Sequence, residues 1–198
     1  MDQKSTPSFH YPHPEKFQGK RDGFSALTWL RSVRRYFLAT STPENIKTVV
    51  AASLLGEEAG QWFDGSSLPD DTSFPEFERR FKLAYIPSDF DSVLRSRLAT
   101  LRMSTTVDAH VAEARRLLTA LLADASSDLT RIELQKLAHV SFLEGCPKSL
   151  QQLLRALMVS QTLSVYQLFE AAEQYDRVYN FTPDGKNSGL LGFRSTQA

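Results

Sequence analysis

Cys146 is the only thiol in the chain, and it stands beside Pro147 at a predicted helix start. A helix N-terminus can lower a thiol pKa and make it a nucleophile. Nucleophilic catalysis also needs a base held within reach. His110 and His139 lie on predicted helices with no acidic partner fixed by spacing, and neither is tied to Cys146. Cys146 therefore reads as a packed turn residue. His10-x-x-His13 places two imidazoles close together, but in a Pro-rich stretch with no carboxylate or thiol in register. A stable metal site needs more ligands than that. One cysteine can form neither an internal disulfide nor a zinc knuckle, which fits a reducing compartment. The expectation is a protein that is not an enzyme, with no metal, no cofactor and no small-molecule substrate.

The remaining residues with chemical potential are the arginine pairs Arg34-Arg35, Arg79-Arg80 and Arg115-Arg116. Adjacent helical residues diverge by about 100°, so a pair spreads its charge over a surface. Solvated faces are the simpler reading. Weak RNA or polyanion contact through these arginines is the sharper one. Lys+Arg and Asp+Glu both total 23, so no net field draws the whole chain to nucleic acid or an anionic membrane.

The elements that would carry these residues are helical throughout. Hydrophobic residues make up 41% of 198, enough for a buried core in one domain or two small lobes. Residues 1–15 form an extended, Pro-rich arm, and 182–198 a Gly-rich, polar tail. No apolar leader opens the sequence, and no run approaches the ~18 apolar residues of a membrane helix. From Phe24, apolar residues recur at Leu27, Leu30, Val33 and Phe37, one face of a helix. Ile46, Val49, Val50 and Leu54 make a second, which Thr42-Pro43 would cap. A short segment carries Trp62 and Phe63. Ser73-Phe74-Pro75-Glu76 has capping-box spacing ahead of Phe77, Phe81 and Tyr85. Phe90, Val93, Leu94 and Leu98 form a fifth stripe. After the polar segment Arg102–Thr106 come the faces Val107–Leu121, Leu134–Phe142, Leu150–Met158 and Val165–Tyr175, the second behind a Thr130–Glu133 capping-box spacing. No β-alternation appears. The fold class is all-α, in two lobes: about five helices over residues 16–103 and four over 104–181.

The order of these elements resembles the capsid region of a Ty3/Gypsy-type retrotransposon Gag polyprotein. Phe17-Gln18-Gly19 followed by Trp29-Leu30 and Tyr36-Phe37 is similar to the opening of its N-lobe. Ala51-Ala52-Ser53-Leu54-Leu55-Gly56 with Trp62-Phe63, then Phe74 through Pro87, resembles its centre, with Phe63 in place of a commoner Trp. Phe142-Leu143-Glu144-Gly145-Cys146-Pro147 is similar to a C-lobe turn that usually carries Leu where Cys146 stands. No single motif is specific; the order and spacing carry the likeness. It implies a structural capsid protein, expected in the cytoplasm, that self-assembles into a virus-like particle through N-lobe rings and C-lobe dimers. The rival implication is a host-adopted helical module that dimerises through the C-lobe and binds peptide or protein partners. Trp29, Trp62 and Phe63 could form a peptide groove in such a relative, but aromatics of this size more readily pack a core. No zinc knuckle or aspartic-protease Asp-Thr/Ser-Gly accompanies these residues, which implies a processed capsid fragment or a host-adopted gene.

Two sets of residues are expected to act in self-association. The predicted helix 131–144 already has a core face, yet a second, partly apolar stripe runs along Ile132, Gln135, His139 and Leu143. A helix apolar on two sides is deeply buried or bridges to a partner, and the resemblance makes this the dimer helix. Met103, Ser104, Thr105 and Thr106 lack proline and a long apolar stripe, so they are expected to serve as the hinge between lobes.

Overall fold

The computed structural model describes residues 11–69, 71–123, 125 and 127–183. His10, most of the N-terminal arm and the tail from 184 on lie outside the described residues. The all-α expectation holds: the described residues form nine α-helices and no strand beyond one isolated bridge. They are α1 (Phe24–Thr40), α2 (Lys47–Ser53), α3 (Glu57–Gly65), α4 (Phe74–Tyr85), α5 (Phe90–Ala99), α6 (Val107–Ala123), α7 (Asp128–Gly145), α8 (Lys148–Ser160) and α9 (Val165–Tyr179). The chain divides into two compact units, one ending at Phe90 and the other beginning at Asp91. By this division α5, placed with the first lobe on sequence, goes with the second unit. Arg97 on α5 pairs with Glu113 on α6 at 3.0 Å.

The first unit is built around aromatic rings. α4 presents Phe74, Phe77, Phe81 and Tyr85 along one side, and all four are buried. Phe81 has no exposed surface. Its ring meets Phe17 at 4.9 Å, Trp29 at 4.8 Å, Trp62 at 5.8 Å and Tyr85 at 4.9 Å. Such edge and tilted pairs add to the gain from burial. Phe17 is held by backbone as well. Its N–H donates to Leu54 O (3.0 Å) and its carbonyl accepts from Gly56 N–H (2.7 Å). A Cβ at residue 56 would lie 3.0 Å from that same carbonyl oxygen, so glycine permits the approach. Trp62 is only half buried and packs on the rim of this cluster. On the outer side, Glu78 of α4 accepts from Arg34 of α1 and pairs with Lys82 (3.1 Å).

The helix starts differ from the sequence reading in four places. Ser73 occupies the N-cap of α4 but makes no side-chain cap bond. Glu76 turns instead to Arg79 and Arg80, whose hydrogen bonds hold its carboxyl down at about 2. α7 starts earlier than its Thr130–Glu133 spacing suggested, with Ser127 accepting from Thr130 N–H at 3.1 Å. The reciprocal capping box forms at Ser164 and Gln167, ahead of α9. Near α2, Thr42-Pro43 leads into a 3-10 turn, Glu44–Ile46, before the helix begins. Local spacing is a necessary condition for a cap, but competing ion pairs decide whether it forms.

The core of the second unit lies among α6, α7 and α9. Val107, Val111, Ala114, Leu117, Leu118 and Leu121 of α6 are buried, as are Leu134, Ala138 and Phe142 of α7 and Leu168, Phe169 and Ala172 of α9. Phe142 meets Phe169 edge-on at 4.8 Å and His110 in a stack at 4.7 Å. His110 Nε2 lies 3.2 Å from the Phe142 carbonyl oxygen, so an Nε2–H donates there, while Nδ1 is buried with no partner. Gly145 closes α7 against this ring: a Cβ would come 2.4 Å from Leu101 O and 2.8 Å from His110 Cε1. Cys146 is buried beside it, its Sγ–H donating to Phe142 O (3.3 Å), and burial pushes the thiol up to about 12.

Two stability predictions follow from these cores. Phe81→Ala should cost about 3–5 kcal/mol in chemical denaturation of the first unit, and Trp62→Ala less, about 2 kcal/mol, because its ring packs on the rim and is not fully buried. Equal losses would place Trp62 at the centre. In the second unit, burial lowers the pKa of His110 below its ordinary 6.5; the Phe142 hydrogen bond opposes that shift and the Arg102 charge adds to it. The unfolded chain therefore binds this proton more readily. Stability from His110 is complete above pH 6.5 and falls as pH drops through that value toward the lower folded pKa. Thermal melts should show Tm declining on that side, with a shallower slope in His110→Phe. An unchanged slope in the variant would rule out His110 as the source.

Candidate self-association surface

α7 has a complete inner face, yet its outer face is also apolar. Leu129, Ile132 and Val140 are 66%, 47% and 53% exposed. With Lys136 they follow one line along the helix at i, i+3, i+7 and i+11, the spacing of a single face. This face borders a shallow cleft of about 310 Å³ between α7 and the start of α9. Ile132, Gln135, Lys136 and His139 line one side, and Ser164 and Tyr166 the other. Tyr166 is itself 42% exposed.

Of the four residues expected at the interface, Ile132, Gln135 and His139 gather at this cleft, while Leu143 turns inward and is buried. Leu143 lies near the end of α7, where the chain turns through Gly145 and Cys146 into the core. Leu129, Val140 and Tyr166 were missed. Leu129 and Val140 were legible in principle: Val140 lies within the predicted helix 131–144 at i+8 from Ile132, and starting the helix at Asp128 brings Leu129 onto the same line. Tyr166 was not, because it reaches the surface from another helix.

The residues expected to serve as a hinge between lobes, Met103 to Thr106, fall within the second unit. Met103 is buried and its N–H donates to Gly145 O at 2.9 Å. Ser104, Thr105 and Thr106 are exposed, and Thr106 caps α6, its Oγ1 accepting from Ala109 N–H at 3.2 Å.

Most arginines of the three pairs face carboxylates. Arg34 pairs with Glu78, Arg79 and Arg80 with Glu76, Arg115 with Glu173 (3.4 Å) and Arg116 with Glu113 (2.7 Å). Exposed pairs of this kind stabilise little but reduce the field available to a polyanion. Trp29 is buried in the aromatic core, its indole N–H without a partner, beside a groove bordered by Phe17, Phe24 and Thr28. Among the described residues no group of three or more His, Cys, Asp or Glu could hold a metal ion, and no helix is long and apolar enough to cross a membrane.

Residues 10–86 match the family model of the retrotransposon-derived protein PEG10, N-terminal capsid-like domain. Over these residues the chain is similar to a capsid domain. The match spans the docked Phe17 segment and α1 to α4, the parts assembled around Phe81. It supports a Gag-like capsid in general and does not single out the Ty3/Gypsy type. No curated protein and no solved structure was found to match the chain. Capsid-like domains of this kind form a structural family.

Proposed function

We propose that the chain is a Gag-derived structural capsid protein of the Ty3/Gypsy type whose copies associate into a shell. The observation that carries this reading is the outward apolar face of α7, set on a unit whose core is already filled, in a chain with a capsid-like first unit. A two-fold contact repeats the same patch on both partners and so needs a patch complementary to itself. The α7 face suits that: Asp128, Arg131, Glu133 and Lys136 are exposed around Leu129, Ile132 and Val140, two charges of each sign. First units would supply the ring contacts, and avidity across the shell would multiply weak individual interfaces.

Ile132→Asp and Val140→Asp should each abolish dimers in sedimentation with helix content unchanged, and should remove particles seen by electron microscopy at rising salt. A charge at the centre of a two-fold patch meets its own copy. Leu143→Asp should instead unfold the second unit, because its side chain is buried. Dimers that persist in both exposed-face variants would move the interface off α7. A wild type that forms dimers but never particles would reduce the reading to a dimeric module.

A shell also needs its subunits to adapt to changing curvature, and we propose Met103–Thr106 as the place that yields. Met103 is anchored and Thr106 is a cap, so the freedom would be confined to Ser104 and Thr105. Replacing both with alanine favours continuous helix and should narrow the particle size distribution while dimers persist. An unchanged distribution would place the pivot elsewhere.

A further inference from the structure

His139 lines the cleft at the edge of the α7 face, one turn from Lys136 and two turns from Ile132, which lines the same cleft. Lys136 and Tyr166 are the other titratable groups lining its cleft, and no carboxylate does. The far wall is the start of α9, where Ser164 closes the capping box. The positive end of the α9 dipole therefore faces the same cleft. An imidazolium formed here would have a lysine and a positive helix end for neighbours and nothing negative lining the cleft. Burial alone lowers the His139 pKa below its ordinary 6.5, with no charged group of any helix, α7 included, contributing to the shift.

We propose that protonation of His139 releases the α7 contact, so that self-association is switched off in mild acid. This rests on the α7 face being the two-fold interface. α7 runs from Asp128 to Gly145, so Lys136 and His139 flank its midpoint. Where two copies of a helix cross near their midpoints, residues there approach their own copies. Each proton taken up would then be repeated across the axis, adding two like charges where two lysines already converge. Like-charge juxtaposition at an interface opposes association. Histidine is the side chain whose ordinary titration falls in this pH range.

The test is the dimer Kd by analytical ultracentrifugation, compared between about pH 7.5 and pH 5.5. Because His110 weakens the fold in the same direction, the lower value is the lowest pH at which far-UV circular dichroism matches neutral pH. Wild type should weaken at least about tenfold, a pH-linked loss of roughly 1.4 kcal/mol. In His139→Gln, which retains His110, the ratio of the two Kd values should fall close to one whatever its absolute affinity. His139→Lys should associate weakly at both. A wild-type ratio near one with dimers intact, or a His139→Gln ratio equal to wild type, would overturn the switch while leaving the interface standing. Absence of wild-type dimers at both pH values, with Ile132→Asp indistinguishable from wild type, would remove the interface and the switch together.

Discussion

The burial of Phe81 is the contact on which the first unit depends. Its ring touches aromatic side chains from the docked N-terminal segment, α1 and α3 as well as α4 itself. α2 has 7 residues and α3 has 9, too few to be stable as isolated helices. They persist because the aromatic cluster gives them a surface to cover. The same cluster explains why Phe17, in an extended and otherwise polar segment, is part of the fold. Its side chain fills the space beside Trp29 and Tyr85, and its backbone bonds to Leu54 and Gly56 satisfy groups that burial would leave unpaired.

The second unit solves a different problem. Phe142 joins α7 to α9 through Phe169 and to α6 through His110, and Gly145 lets the chain close tightly against that histidine. With Leu134, Ala138, Ser141 and Phe142 facing inward, α7 is fully occupied on one side. The apolar surface left outside is surplus to that core. A protein with the apolar side chains of Leu129, Ile132 and Val140 exposed on one helix gains from covering them. That is the physical link between the packing of this unit and the assembly proposed for the chain.

Chemistry-bearing residues were consumed by structure in both units. Cys146 and His110 share the Phe142 carbonyl as acceptor, and five of the six paired arginines hold carboxylates of their own chain. His139 is a different case: it is partly buried, lines the cleft beside α9 and has no acidic neighbour there.

By itself the sequence determined the helices and their inner faces, because a 3.6-residue period of apolar side chains is a local property. Phe74, Phe77, Phe81 and Tyr85 could be read as a buried stripe from spacing alone, and so could Val107, Val111, Ala114 and Leu118. It also pointed to α7 as a helix with a second apolar side. Tertiary structure decided which side chains of that second side remain outside. Ile132 stays exposed while Leu143, on the same nominal stripe, is drawn in as α7 runs into the Gly145–Cys146 turn. It likewise decided that Tyr166, from α9, completes the cleft and that Met103 is anchored to Gly145. Each of these outcomes turns on competition between partners distant in sequence, and periodicity contains no information about who wins it.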